Sequence, residues 1–341
     1  MKILYPFVAV LGLIVIAAVG SSIGMEALFG IVFPYLALLI FIGGFINKVV
    51  GWAKSPVPFR IPTTCGQANS LPWIKQDMLD CPSTTPGVIG RMVLEIFLFR
   101  SLFRNTQADV YDGPKLRYGS SKYLWLFALL FHYSFLVILV RHLRLFADPI
   151  PFFVNILEFA DGFLQIGAPH IYQSDLVIIG AIALLFLRRI LLTNVRYISL
   201  PADYFPLFLI FAIAVTGMLM RYVTRVDVVN IKTLAVGLAT FKPVIAGDLG
   251  MMFYIHIFLV STLLVYFPFS KLMHLGGVFM SPTRNLANNS RMVRHINPWN
   301  DPNLKPHSYA SYEDEYREFM VDAGIPVDKE LPAETPAAEE A

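Results

Sequence analysis

Apolar residues run along this chain in long blocks joined by shorter polar stretches. Six blocks reach, or nearly reach, the length of a bilayer crossing: Tyr5–Gly24, Ala27–Trp52, Leu124–Phe146, Leu176–Leu192, Tyr204–Tyr222 and Leu249–Leu275. At 1.5 Å of rise per residue, about 20 helical residues cross the roughly 30 Å hydrocarbon layer. The first two blocks are nearly continuous and predict a tight transmembrane hairpin over residues 1–52, with Pro34 early in its second helix. The other four predict a four-helix bundle over residues 122–276. The fold expected is all-α, a polytopic membrane protein of about six transmembrane helices. Lys2 ahead of the first block imitates a signal peptide, but the block is long and a second follows at once, so a retained helix is expected.

The intervening polar segments have patterns of their own. Within the loop 53–121, Gly87 to Asn105 reads GVIGRMVLEIFLFRSLFRN, with apolar residues at helical spacing and arginines at the edges. This predicts a helix in the interface plane, its basic side toward anionic headgroups. A further span there is disfavoured by the cost of burying Arg91 and Glu95. Residues 277–341 form a polar tail expected in the cytoplasm, closing on an acidic, Ala- and Pro-rich run from Lys329 that is expected to be disordered in isolation. Within the tail, Tyr309 to Ala323 predicts a short helix suited to packing on a partner.

Composition narrows the class. Of the residues, 56% are hydrophobic and 15% charged, against about half and a quarter in soluble domains. A net charge of +3, widely spread, gives no footprint for nucleic acid. Lys and Arg concentrate between the second and third blocks, at Arg188, Arg189 and Arg196, and from Lys271 to Arg294. The positive-inside rule then places both termini in the cytoplasm, with the chain in the cytoplasmic (inner) membrane and surrounded by lipid. Cys65 and Cys81 fall in a loop on the reducing side, which argues against a disulfide, and two thiols are too few to hold an Fe–S cluster alone.

Four of the seven histidines lie inside the blocks: His132 and His142 on the third, His256 and His274 on the sixth. Under the expected topology these helices run antiparallel. His132 then lies level with His274 toward the cytoplasm, and His142 level with His256 toward the outside. Each level offers two imidazoles to one iron, the ligation of a low-spin electron-transfer haem. The spacings of ten and eighteen residues correspond to about 15 and 27 Å of rise; eighteen residues make five turns and put His256 and His274 on one face. Arg141 and Arg144 flank His142 and are candidates for haem propionates or a quinone oxygen, or for the outer headgroups. Asp175 and Asp248 are candidate proton acceptors or simple helix-start residues. His170, His295 and His307 read as solvated or partner-facing. A non-redox membrane anchor is the rival reading, and a proton-coupled transporter ranks behind it because no Asp or Glu stands in mid-span.

The histidine pattern resembles the gamma subunit of respiratory nitrate reductase over about Lys122 to Gly276. The loop sequences PVPFRIPTTCGQANSLPWIK and CPSTTPGVIGRMVLEIFLFRSLFRNT resemble, more narrowly, the DsrM family of cytochrome b subunits from DsrMKJOP complexes of sulfur metabolism. That resemblance implies two haem b groups, oxidation of menaquinol, and a role as the quinol-oxidising subunit of an oxidoreductase complex rather than a complete enzyme. It implies a cytosolic Fe–S partner of the heterodisulfide reductase type (DsrK-like), acting on a DsrC-borne trisulfide, and further membrane and outer-face subunits. The equivalent cytochrome b subunit of another respiratory complex shares the pattern. Arg141 stands where the nitrate reductase subunit has glycine, so the quinone residues of that subunit are not carried over.

Overall fold

The computed structural model describes residues 1–57, 66–162, 171–292, 303 and 305–329. It divides into two compact units, Met1–Val293 and Arg294–Ala341.

The first unit is a helical bundle. Helix α1 (Leu4–Ser22) and α2 (Phe33–Ala53, entered through a π-turn at Leu28–Val32) form the expected hairpin. There follow α3 (Thr85–Leu98), α4 (Arg100–Phe103), strands β1 (Thr106–Tyr111) and β2 (Lys115–Ser120), and α5 (Lys122–Phe146). Next come α6 (Phe152–Asp161), α7 (Gln173–Leu191), α8 (Thr193–Ile198) and α9 (Pro201–Met218), the last extended by a π-turn at Leu219–Thr224. Then α10 (Val228–Ala239) and α11 (Met251–Tyr266) lead to α12 (His274–Gly277) and α13 (Pro282–Asn285).

Among the described residues, five helices are long and apolar enough to cross a bilayer: Leu4–Ser22, Leu28–Ala53, Lys122–Phe146, Pro201–Thr224 and Met251–Phe269. The expected sixth, α7, stands apart from these five in the charges at its ends. Helix α7 has 19 residues but carries Asp175 in its first turn and Arg188 and Arg189 in its last.

The hairpin is not a separate layer. Val10, Ala17 and Phe29 share one buried core with Leu209, Leu234, Tyr254 and Leu259, so α1 and α2 pack on α9 and α11. Contact is closest at Gly44, where a Cβ would stand 2.7 Å from that of Pro268. Pro206, inside α9, has no N–H to bond the carbonyl four residues back. That carbonyl, of Ala202, accepts the Tyr266 hydroxyl at 3.2 Å instead, which satisfies a polar group that hydrocarbon would leave bare.

The interfacial helix differs from expectation. Thr84 caps α3, accepting Gly87 N–H at 3.4 Å, and Phe99 ends it in a left-handed conformation (φ 49°). Ile89, Val93 and Phe97 form an exposed apolar stripe, as a helix on a bilayer surface requires. The arginines, however, turn to the protein rather than to headgroups. Arg91 is buried and donates to Thr283 O at 3.1 Å, while Arg100 and Arg104 pair with Asp80. The carbonyls of Phe97 and Leu98, left open at the helix end, accept Tyr133 Oη at 3.0 Å and Trp125 Nε1 at 2.7 Å. Helix α3 is thereby docked on α5. The polar segment after Gly277 begins within this unit: α13 packs on α3, and Asn288 N–H donates to Pro82 O at 2.7 Å.

In the second unit, α14 (Tyr309–Asp322) is capped by Ser308, which accepts Ser311 N–H at 3.2 Å. Glu313 is buried and accepts the N–H groups of Asp328 and Lys329, both at 2.9 Å, with Arg317 beside it. These bonds, the one from Asp328 first, hold its carboxyl below the ordinary range. A depressed folded pKa means the stabilisation is complete above the unfolded value of about 4.3 and fades as pH falls through the lower folded one. Amide protection over residues 309–329 of the full chain is expected to drop on that acidification, and Glu313→Gln to flatten the dependence.

Candidate functional site

His132 and His142 lie on α5 and His256 on α11, but His274 opens α12, beyond a break. The expected single helix to Leu275 ends because Pro268 has no N–H to extend it. Ser270 then turns extended (φ −121°, ψ 176°) and caps a new turn by accepting Leu272 N–H at 3.2 Å. Five unbroken helical turns therefore do not align His256 with His274. The break itself delivers His274. Glycines hold α12 against α2: a Cβ at Gly276 would meet Phe45 at 3.4 Å, and one at Gly277 would meet Trp52 at 3.6 Å.

The structure brings His132 and His274 together. The ring centres of His132 and His274 are 5.9 Å apart, with planes at 85°. His142 and His256, the other expected pair, stand on α5 and α11. A metal between two imidazole nitrogens, at bond lengths near 2 Å, holds ring centres roughly 6 Å apart. Helices α5 and α11 pack mainly on other helices, α5 on α7 and α10, α11 on α1, α2 and α9. Side chains rather than backbones bridge the interval.

The second nitrogen of each ring settles its tautomer. His132 Nδ1 meets Ala128 O at 2.7 Å, His142 Nδ1 meets Ile138 O at 2.7 Å, and His274 Nδ1 meets Lys271 O at 2.9 Å. A carbonyl only accepts, so each of these nitrogens carries the proton. His256 Nδ1 lies 2.9 Å from Thr216 Oγ1. That hydroxyl also reaches Ala212 O at 2.8 Å and Ile213 O at 3.0 Å; with its proton on either carbonyl it accepts from His256 as well. All four rings thus present an Nε2 lone pair, the form that binds a metal. Among the described residues no three His, Cys, Asp or Glu side chains converge as a metal site. Donors in twos do not suit structural zinc, which takes four protein ligands; they suit an iron whose equatorial positions a porphyrin fills.

A buried polar network adjoins His142. Arg141 Nη1 donates to Asp161 Oδ2 at 2.8 Å, Ser174 Oγ at 2.9 Å and Asp175 Oδ1 at 3.2 Å. Its guanidinium lies 3.5 Å over the Tyr172 ring, and that of Arg221 lies 4.2 Å from the same ring. Tyr222 Oη donates to Asp175 Oδ2 at 2.7 Å. Arg144 pairs with Glu158 at 2.8 Å. Carboxylates of the same chain pair with both flanking arginines. Asp248 accepts Gly250 N–H at 2.8 Å, at the edge of a cavity of about 300 Å³ lined by Thr224, Val226, Asp227, Met251 and Met252.

Sequence reasoning missed Thr216, Tyr172, Arg221 and Tyr222 as members of this region, and Phe99, whose ring centre lies 5.0 Å from that of His132. The π-turn carrying Arg221 and Tyr222 is of a kind frequent at functional sites, and a charge so near the end of an apolar block was its visible signal. His170, His295 and Cys65, and the end of the acidic run from Glu330, lie outside the described residues. His307 is exposed, and Cys81 is buried with its Sγ 3.4 Å from Asn288 Nδ2.

Residues 96–296, which contain all four paired histidines, match the nitrate reductase gamma subunit family. The chain belongs to that family. It is also 47% identical over 282 residues to the "Hdr-like menaquinol oxidoreductase cytochrome b-like subunit" of Archaeoglobus fulgidus, covering 81% of this chain and 84% of the relative. The protein of the same name from Archaeoglobus profundus is 43% identical over 277 residues, covering 79% and 82%.

Proposed function

We propose that this chain is the di-haem cytochrome b subunit of a quinol-oxidising complex in the cytoplasmic (inner) membrane. It takes electrons from menaquinol near its outer face and passes them to a cytosolic Fe–S partner. The observation that carries this is the set of four imidazoles, paired between α5 and the α11–α12 segment, each with its proton fixed on Nδ1.

His132 and His274 would hold one haem b, toward the cytoplasm, and His142 and His256 the other. Haem iron, when bound, supplies reversible one-electron transfer between quinol and partner. The cavity at the start of α11 opens one helical turn before His256 and is mostly apolar, as a quinol ring requires. The Asp175 carboxylate, which accepts the Tyr222 hydroxyl, offers a released proton an acceptor on the outer side. Arg144, 37% exposed at its side chain, keeps room to meet an anionic group such as a propionate, whereas Arg141 is enclosed and orders the helix ends beside His142. Electrons moving inward while protons leave outward make the step electrogenic.

The basic loops support cytoplasmic termini. The relatives' names support menaquinol as donor and membership of a multi-subunit complex; the cytosolic, DsrK-like Fe–S partner of the heterodisulfide reductase type, and further membrane and outer-face subunits, are what the loop resemblance implies. The DsrM reading, and with it dissimilatory sulfur metabolism, rests on the loop sequences on either side of Gln76.

A reduced-minus-oxidised spectrum with pyridine haemochrome quantitation tests this. Two haem b per chain, reducible by a menaquinol analogue, are expected. A colourless chain would leave only a membrane anchor.

A further inference from the structure

Three of the four histidines fix Nδ1 on a carbonyl of their own local backbone, three or four residues earlier. His256 does not. Its Nδ1 proton crosses to another helix, to the Thr216 hydroxyl on α9. Thr216 is itself buried, and its proton is fixed on the α9 carbonyls of Ala212 or Ile213. With the hydroxyl proton on either carbonyl, the oxygen is left to accept from His256 Nδ1. The next residue is Gly217, where a Cβ would stand 3.4 Å from His256 Cε1. A bare backbone thus leaves space along the ring edge, and the Thr216–Gly217 pair sets both the tilt and the tautomer of this imidazole.

We infer that Thr216 is a positioning residue for the outer haem: it holds His256 with Nε2 toward the iron and tunes the donor strength of that one ligand. This rests on the di-haem reading of the four histidines. Hydrogen bonding to the far nitrogen of a ligating imidazole fixes its orientation and raises its basicity, and losing such a partner commonly weakens metal affinity about 10–100-fold. A more basic ligand favours the ferric iron. Without the hydroxyl, the outer haem should therefore shift to a more positive potential and be lost more readily, while the inner haem, on His132 and His274, stays as it was. Thr216 is buried at 6% exposure, so water does not readily take the place of its hydroxyl.

Thr216→Val keeps the shape of the side chain and removes the acceptor. In full-length protein purified in detergent, a redox titration followed in the haem bands should show one component moved positive and the other unmoved. Transfer of one haem to a scavenging apoprotein should be roughly 10–100-fold faster. Thr216→Ser, which restores the hydroxyl, should return both readouts to the parent values. Ser261→Ala, which removes a buried hydroxyl bonded to Ile257 O on α11, should move neither. If Thr216→Val does not accumulate, Thr216→Ala removes the same acceptor without adding an atom and is read the same way. Two haems titrating as in the parent in the variant that accumulates would overturn the inference while leaving the di-haem reading intact. A parent chain with no haem would overturn both.

Discussion

Each of four single substitutions, His132→Ala, His142→Ala, His256→Ala and His274→Ala, is expected to cut the haem content of the purified chain by about half. The variants should fall into two classes. His132→Ala and His274→Ala should lose one and the same haem, recognised by which component disappears from the redox titration, and the other two substitutions should lose its neighbour. The geometry makes the first pairing strict: the rings of His132 and His274 are 5.9 Å apart, and each has its other nitrogen occupied by a backbone carbonyl. The remaining histidine among the described residues, His307, is exposed and belongs to the second unit. Glycine in place of alanine, with imidazole added to the buffer, should restore the missing component, because it returns the ligand without its tether. Loss of different components by His132→Ala and His274→Ala would end the assignment of those two to one iron.

Much of this arrangement was legible in the sequence, for a physical reason. Apolar blocks near 20 residues mark bilayer crossings, and ionisable groups inside them are costly and therefore stand out. The break between His256 and His274 was less legible, because 3-10 and α-helical turns tolerate the same apolar residues. Pro268 and Ser270 were its only written signs. The hairpin β1–β2 was overlooked although Asp112 and Gly113, both at positive φ, are an ordinary hairpin turn signal; a search for apolar blocks passes over strands as polar as these. Thr216 could not be found at all. A threonine inside a helix usually bonds its own backbone, and only the rotation of α9 about its axis shows that it faces His256. The acidic residues near Arg141 were visible as Asp161 and Asp175, but they lie 20 and 34 residues away in sequence. Which arginine they would hold depended on how two loops fold back.

That last pairing sets up the largest stability change expected outside the histidines. Arg141, Asp161 and Asp175 have side chains only 11%, 6% and 11% exposed, and the Arg141 guanidinium stacks on Tyr172. Arg141→Leu would leave two enclosed carboxylates without their cation, and breaking a buried pair from one side costs about 3–5 kcal/mol. Arg144 is the comparison on the same helix. Its pair with Glu158 is open, at 37% and 17% exposure, and solvent screening limits such a pair to about 1 kcal/mol or less. Thermal unfolding of the detergent-solubilised chain should therefore drop by many degrees in Arg141→Leu and hardly at all in Arg144→Leu. Adding Asp161→Asn and Asp175→Asn to Arg141→Leu should recover much of the loss, because the penalty lies in the stranded charges and not in the missing contact. If both arginines served only to reach lipid headgroups, the two single variants would melt alike and the added amides would recover nothing.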